Sequence, residues 1–211
     1  MTGAAFLLLT LAFVVAAGDW HAVFHGNKPL EYLCKPLTMV LLFGAALALD
    51  PADPTVRAWF LVAIALCLVG DVLLMVPKDM FVLGLGSFLL GHLAYIGGLV
   101  ASGVDGPRLA VGTGIVVVAL LLIGRRIMQG VQRGAEPELT GPVLSYMAVI
   151  SVMVASAIGS GSAWATAGAV SFYASDALIA WNRFLRETAY GRLVIIVTYH
   201  VAQVGLVLSL I

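Results

Sequence analysis

The chain has 211 residues, 62% hydrophobic and 10% charged, with a mean hydropathy of +1.07. Soluble domains carry about 45–50% apolar and about 25% charged residues, so this composition excludes a water-soluble globule and indicates an integral membrane protein. The 11 acids and 11 bases cancel, which argues against nucleic acid as a partner.

A spanning helix needs about 20 mostly apolar residues, which gives eight segments at about 3–18, 31–49, 57–76, 80–100, 109–124, 141–159, 163–181 and 192–211. The predicted fold is all-α: a single bundle of eight transmembrane helices, with no room left for a soluble domain. The first segment ends in Ala16-Ala17-Gly18, like a signal cleavage site, but Met1-Thr2-Gly3 supplies no positive charge ahead of it, so it is predicted to stay as a helix. Connections one, three, five and seven hold Lys28, Lys78, Arg125, Arg126, Arg133, Arg183, Arg186 and Arg192; the other three hold only Arg57 and Arg108. The positive-inside rule then predicts a cytoplasmic (inner) membrane protein with both termini outside. Trp20, Trp59, Trp164 and Trp181 fall at segment ends, where an aromatic belt belongs. Cys34 and Cys67 lie in apolar runs and read as small buried hydrophobes.

Two carboxylates stand out inside hydrocarbon, Asp71 in VGDVLLMVP and Asp176 in SFYASDALIAWNRF. An acid at the centre of a spanning helix costs roughly 2.5–3.5 kcal/mol on insertion scales and marks a functional site by default. Asp71, Asp176 and Lys35 each sit near the cytoplasmic end of a helix, so they are predicted to share one depth and to open to the cytoplasm. Phe81, Gly84, Phe88, His92 and Tyr95 form one stripe on the fourth helix, and Arg192, Tyr199 and Gln203 one stripe on the eighth, with His200 turned about 100° away. Tyr173, Asp176 and Arg183 share a face of the seventh. Glu31 and Lys35 have the i,i+4 spacing of an ion pair. Asp71 with His92 and Asp176 with His200 recur half a chain apart, the spacing of two parallel four-helix halves or of coincidence. No H-x₃-H or H-E-x-x-H spacing occurs, so no metal site is predicted.

Lys35-Pro36-Leu37-Thr38, Gly70-Asp71, Phe81-x-x-Gly84-x-x-x-Phe88-x-x-x-His92-x-x-Tyr95, Ser175-Asp176 with Asn182-Arg183-Phe184, and Tyr199-x-x-x-Gln203 together resemble the YhhN family of lysoplasmalogenases. His200 departs from that pattern and inherits no role. The resemblance implies eight helices and hydrolysis of the vinyl ether bond of a lysoplasmalogen, a lysophospholipid held in the membrane, by a pair of carboxylates and with no cofactor. Asp71 and Asp176 would be the catalytic pair, one protonated and one ionised, as in glycosidases. Lys35, His92, Tyr95, Tyr173, Asn182, Arg183, Tyr199 and Gln203 would bind substrate or water, with Arg186 and Arg192 as further phosphate contacts. The same intramembrane acids could instead form the proton relay of a transporter or line a lipid-binding protein.

Overall fold

The computed structural model describes residues 1–51 and 53–211, which fold into eight long helices joined by short turns. These are α1 (Gly3–His25), α2 (Lys28–Ala48), α3 (Pro54–Met75), α4 (Phe81–Ala101), α5 (Gly106–Arg133), α6 (Thr140–Ser160), α7 (Ala163–Phe184) and α8 (Gly191–Leu208). Capping chemistry sets many of the starts. Thr2, Asn27, Asp53, Asp105 and Ser162 each accept from a backbone N–H of the first turn that follows, giving a partner to a donor the helix cannot satisfy itself.

Seven of the eight helices are long and apolar enough to cross a membrane, as expected of an integral membrane protein. The exception is α7, which carries Ser171, Tyr173, Ser175 and Asp176 through its middle.

Two boundaries differ from the sequence expectation. α1 does not stop at Gly18 but runs to His25, closed by Gly26 in the left-handed conformation (φ 70°), so Asp19 and Trp20 lie within it and not in a connection. α5 continues through a π-helical turn at Leu120–Gly124 to Arg133. Its 28 residues make it about 42 Å long, more than the roughly 30 Å of hydrocarbon in a bilayer. The extension stays helical because it is amphipathic: Ile127 and Val131 turn inward onto a small apolar cluster with Phe81 and Phe184, while Arg125, Arg126 and Arg133 follow the polar side.

Neighbours in sequence pair as α1–α2, α3–α4, α5–α6 and α7–α8. α2 also packs on α3, α4 on α6, α6 on α7, and α8 on α1. The result is a closed ring of seven helices with α5 outside, leaning on α6. Within each half the helices pack in the same order, α1–α2–α3–α4 and α5–α6–α7–α8, whereas between the halves α1 closes the ring and α5 stands outside it. A single core runs through the ring, built around Phe60, Phe88, Tyr95, Met153, Phe172 and Tyr199.

Candidate active site

Asp71 lies one turn from the end of α3 and is 1% exposed. Its Oδ1 is 3.0 Å from Lys35 Nζ on α2, and its Oδ2 accepts a 2.5 Å hydrogen bond from the Tyr199 hydroxyl on α8. Three helices thus converge on one carboxylate. The expected Glu31–Lys35 pair does not form: Glu31 takes Lys28 (3.1 Å) and Arg192 (2.8 Å) instead. Lys35 is a turn deeper than Glu31, and a buried carboxylate needs a counter-ion more than an interfacial one does.

Asp176 on α7 has a second set of partners. Its Oδ2 accepts from the Tyr146 hydroxyl of α6 and stands 3.2 Å from His92 Nε2 of α4; the same Nε2 is 2.9 Å from the Tyr146 oxygen. His92 is fully buried, and its Nδ1 has no protein partner. Because Tyr146 gives its proton to the carboxylate, its oxygen can only accept from His92, which places the imidazole proton on Nε2. The Phe172 ring separates the two centres, packing edge-on against His92 (4.6 Å between centroids) and against Tyr199 (5.3 Å). Asp71, Lys35 and Asp176 lie about 6, 10 and 12 Å from the ends of their helices, so both centres lie toward the end of the bundle that carries most of the basic connections.

Two cavities approach these centres. One is an apolar groove of about 700 Å³ between α3–α4, the end of α5, α6 and α7, whose polar lining is Asp176, Tyr146 and Tyr173. The other is a wide polar vestibule of about 1520 Å³, lined by Lys28, Glu31, Lys35, Lys78, Arg183, Glu187 and Arg192 among others. Leu74, Phe81 and Ile179 line both cavities and form the seam between them.

The other sequence-predicted residues fall in different places. Tyr95 donates to Gln203 Oε1 (2.5 Å), and this pair lies farther from the basic end than either carboxylate. Asn182 Oδ1 accepts from the Thr188 amide (3.0 Å) and hydroxyl (2.9 Å), closing the α7–α8 turn at the vestibule wall. Arg183 grips Glu136 through two nitrogens (3.0 and 2.7 Å), reaches Asp79 (3.1 Å), and lies 3.9 Å over the Phe81 ring. Its guanidinium already faces two carboxylates. Arg192 is held by Glu31. Among the described residues no group of three or more His, Cys, Asp or Glu stands close enough to hold a metal ion.

A family model described as the YhhN family matches residues 30–210, which covers Lys35, both acids and all of their partners. The chain belongs to the YhhN family. Relatives include a lysoplasmalogenase of Mycobacterium bovis, 34% identical over 76% of this chain and 62% of that protein. Others are the lysoplasmalogenases TMEM86B of Mus musculus (29% identical, 83% of this chain, 72% of that protein) and TMEM86A of Homo sapiens (32%, 83% and 75%). The matched region thus spans somewhat less than two thirds of the mycobacterial relative. No solved structure matches the chain.

Sequence reasoning missed two polar residues of this YhhN chain, Tyr146 and Asp19. Tyr146 is the one tyrosine of the sixth segment, a signal too common in membrane helices to single it out. Asp19 was hidden by the early end assigned to the first helix, although the apolar pattern resumes at Ala22-Val23-Phe24.

Proposed function

We propose that this protein hydrolyses the vinyl ether bond of lysoplasmalogens, releasing a fatty aldehyde and a glycerophosphocholine or glycerophosphoethanolamine. Family membership supports the reaction class, since the relatives above carry the name lysoplasmalogenase. One observation carries the mechanism: cavities of opposite character reach Asp176 itself and Lys35, the ion-pair partner of Asp71. A vinyl ether, O–CH=CH–chain, breaks when its chain-side (β) carbon is protonated and water adds to the carbon that bears oxygen. The acid must therefore stand on the chain side and the water-activating base on the glycerol side.

Asp176 lines the apolar groove and, unlike Asp71, has no lysine or arginine partner, so it is the proton donor. Asp71 is ion-paired to Lys35, which lines the polar vestibule, so it is the base. Asp176 gives its proton to the β-carbon and leaves an oxocarbenium ion, whose charge the new carboxylate stabilises. Asp71 takes a proton from water as the water oxygen bonds to the cationic carbon. The hemiacetal then collapses: its C–O bond to glycerol breaks, the glycerol oxygen takes the proton held by Asp71, and the hemiacetal hydroxyl returns a proton to Asp176. Both acids end as they began. Tyr173 and Tyr199 orient the reacting groups, Lys35 and the basic vestibule hold the phosphate, and Tyr95–Gln203 fixes α4 against α8 beneath the site. The vestibule faces the cytoplasm, with both termini outside, because the basic connections gather on its side.

The deciding experiment is aldehyde release from a lysoplasmenyl lipid by purified protein in detergent, beside Asp71→Asn and Asp176→Asn. Release by the wild type and its loss, at least about a thousandfold, in both folded variants is the expected result. Full activity in both variants would sink the carboxylate mechanism. Absence of release from well-folded wild type, with either headgroup, would sink the substrate class.

A further inference from the structure

Five basic and three acidic side chains line the vestibule, and most of them are already paired. Lys28 and Arg192 share Glu31, at 3.1 and 2.8 Å. Lys35 faces Asp71 at 3.0 Å, and Arg183 takes Asp79 and Glu136 at 3.1 and 2.7 Å. Among the described residues this leaves one cation of the lining, Lys78, and one carboxylate, Glu187, without an oppositely charged partner. Both are exposed, and the mechanism above uses neither.

The backbone that carries each of them is fixed by its neighbour. Lys78 precedes Asp79, whose carboxylate is held by the Arg183 guanidinium and accepts from the Phe81 amide at 3.1 Å. Glu187 precedes Thr188, whose amide and hydroxyl donate to Asn182 Oδ1 at 3.0 and 2.9 Å. The Asp79–Arg183 pair draws the α3–α4 and α7–α8 connections together, so the two unpaired charges, opposite in sign, open onto one cavity. That arrangement matches a zwitterionic headgroup, with phosphate on the lysine and ammonium on the glutamate. The vestibule also tells one ammonium from another. A primary ammonium donates three N–H bonds and suits a carboxylate, whereas a quaternary one has no N–H and is recognised over open aromatic faces. Among the described residues the one aromatic ring in the lining is Phe81, and the Arg183 guanidinium covers it at 3.9 Å.

We propose that Lys78 and Glu187 form a headgroup subsite that selects phosphoethanolamine over phosphocholine. This rests on the reading of the protein as a hydrolase of lysolipids, and it decides between the two headgroups left open there. A phosphate that reaches Lys35 must share it with Asp71, whereas Lys78 is free to take it. Glu187 then receives the N–H groups of ethanolamine, and the methyl groups of choline offer it none.

The test measures binding of two uncleavable analogues, 1-alkyl lysophosphoethanolamine and 1-alkyl lysophosphocholine, in which a saturated ether replaces the vinyl ether. Kd is read by thermophoresis in detergent at low ionic strength, where exposed charge pairs are least screened. Wild type is expected to bind the ethanolamine analogue about fivefold more tightly. Glu187→Gln should bring the two Kd values within about twofold of each other, by weakening ethanolamine alone. Lys78→Gln should weaken both by about threefold and keep the preference. Both side chains are exposed on connections, so the variants leave the core intact. Equal or tighter choline binding by wild type overturns the proposal, as does a preference that survives in Glu187→Gln. Unchanged Kd values in Lys78→Gln overturn the phosphate contact, and failure of both analogues to bind wild type overturns the subsite as a whole. Aldehyde release from the two lysoplasmenyl lipids is followed in parallel. If neither is cleaved while the Kd pattern holds, the hydrolase reading fails and the headgroup subsite stands.

Discussion

Tyr146 and Tyr199 show how one residue can set the character of an acid. Each gives its only hydroxyl proton to a carboxylate, but Tyr199 shares Asp71 with the Lys35 ammonium whereas Tyr146 shares Asp176 with the His92 imidazole. Removing one hydrogen bond to a charged group costs about 1.5–3 kcal/mol, a factor of about ten to a hundred in rate when the group is catalytic. Tyr146→Phe is therefore expected to lower kcat by about that factor while leaving KM for the lipid nearly unchanged, since the phenyl ring still walls the groove. Steady-state kinetics at saturating lipid checks this. A rise in KM at constant kcat would show that Tyr146 binds the chain and does not serve Asp176. Tyr199→Phe strips Asp71 of a donor but leaves Lys35 in place, so its loss should be the smaller of the two.

Between helices, α7 lies close on α8, and glycine makes that approach possible. A Cβ at Gly168 would lie 2.8 Å from the Ala202 carbonyl oxygen and 2.8 Å from the Leu206 amide nitrogen; one at Gly205 would lie 3.0 Å from Gly168 Cα. Those neighbours are backbone and cannot step aside, so Gly168→Val must push the helices apart, at a cost of about 1–3 kcal/mol. It is expected to lower the Tm in detergent and to reduce activity together, because Ser175, which ties α7 to the Ile195 carbonyl, moves with Asp176. The connections are held more lightly. The Arg183 guanidinium beside Asp79 keeps that exposed carboxyl below its ordinary value of 3.8. A depressed carboxyl stabilises the fold above its unfolded value and ceases to do so as pH falls through its folded one. Wild type should therefore melt slightly above Asp79→Asn at neutral pH, with the gap closing below about pH 4. A gap that persists in acid would assign the difference to the α4 cap, where Asp79 accepts from the Phe81 amide.

At the scale of the whole molecule, hydropathy alone gives eight helices and places Asp71, Asp176 and Lys35 toward the same end of the bundle, though Asp176 and Lys35 lie farther from their helix ends than the sequence suggests because α7 and α2 extend beyond the apolar segments. Which groups meet does not follow. Lys35 turned from Glu31 to Asp71, and Arg183 was drawn to Glu136 and Asp79, because partner choice depends on which helices adjoin in the ring. The two cavities were illegible for the same reason, since each is lined from several helices. In the proposed reaction the cavities orient the substrate: chain in the groove past Asp176, phosphate in the vestibule, reacting bond at the seam of Leu74, Phe81 and Ile179. That orientation makes a sharp prediction about size. Ala180 lines the groove one turn from Asp176 toward the seam, so Ala180→Phe fills space that a long chain must occupy without touching either carboxylate. A short, water-soluble vinyl ether such as butyl vinyl ether does not need that space. Ala180→Phe should cut kcat/KM for a long-chain lysoplasmenyl lipid about tenfold or more and leave the short ether within about twofold of wild type, by aldehyde release for both. Equal losses on the two substrates would mean that the ring has been distorted. No loss on either would mean that the chain leaves the site by another path, and that the groove is not where Asp176 meets its substrate.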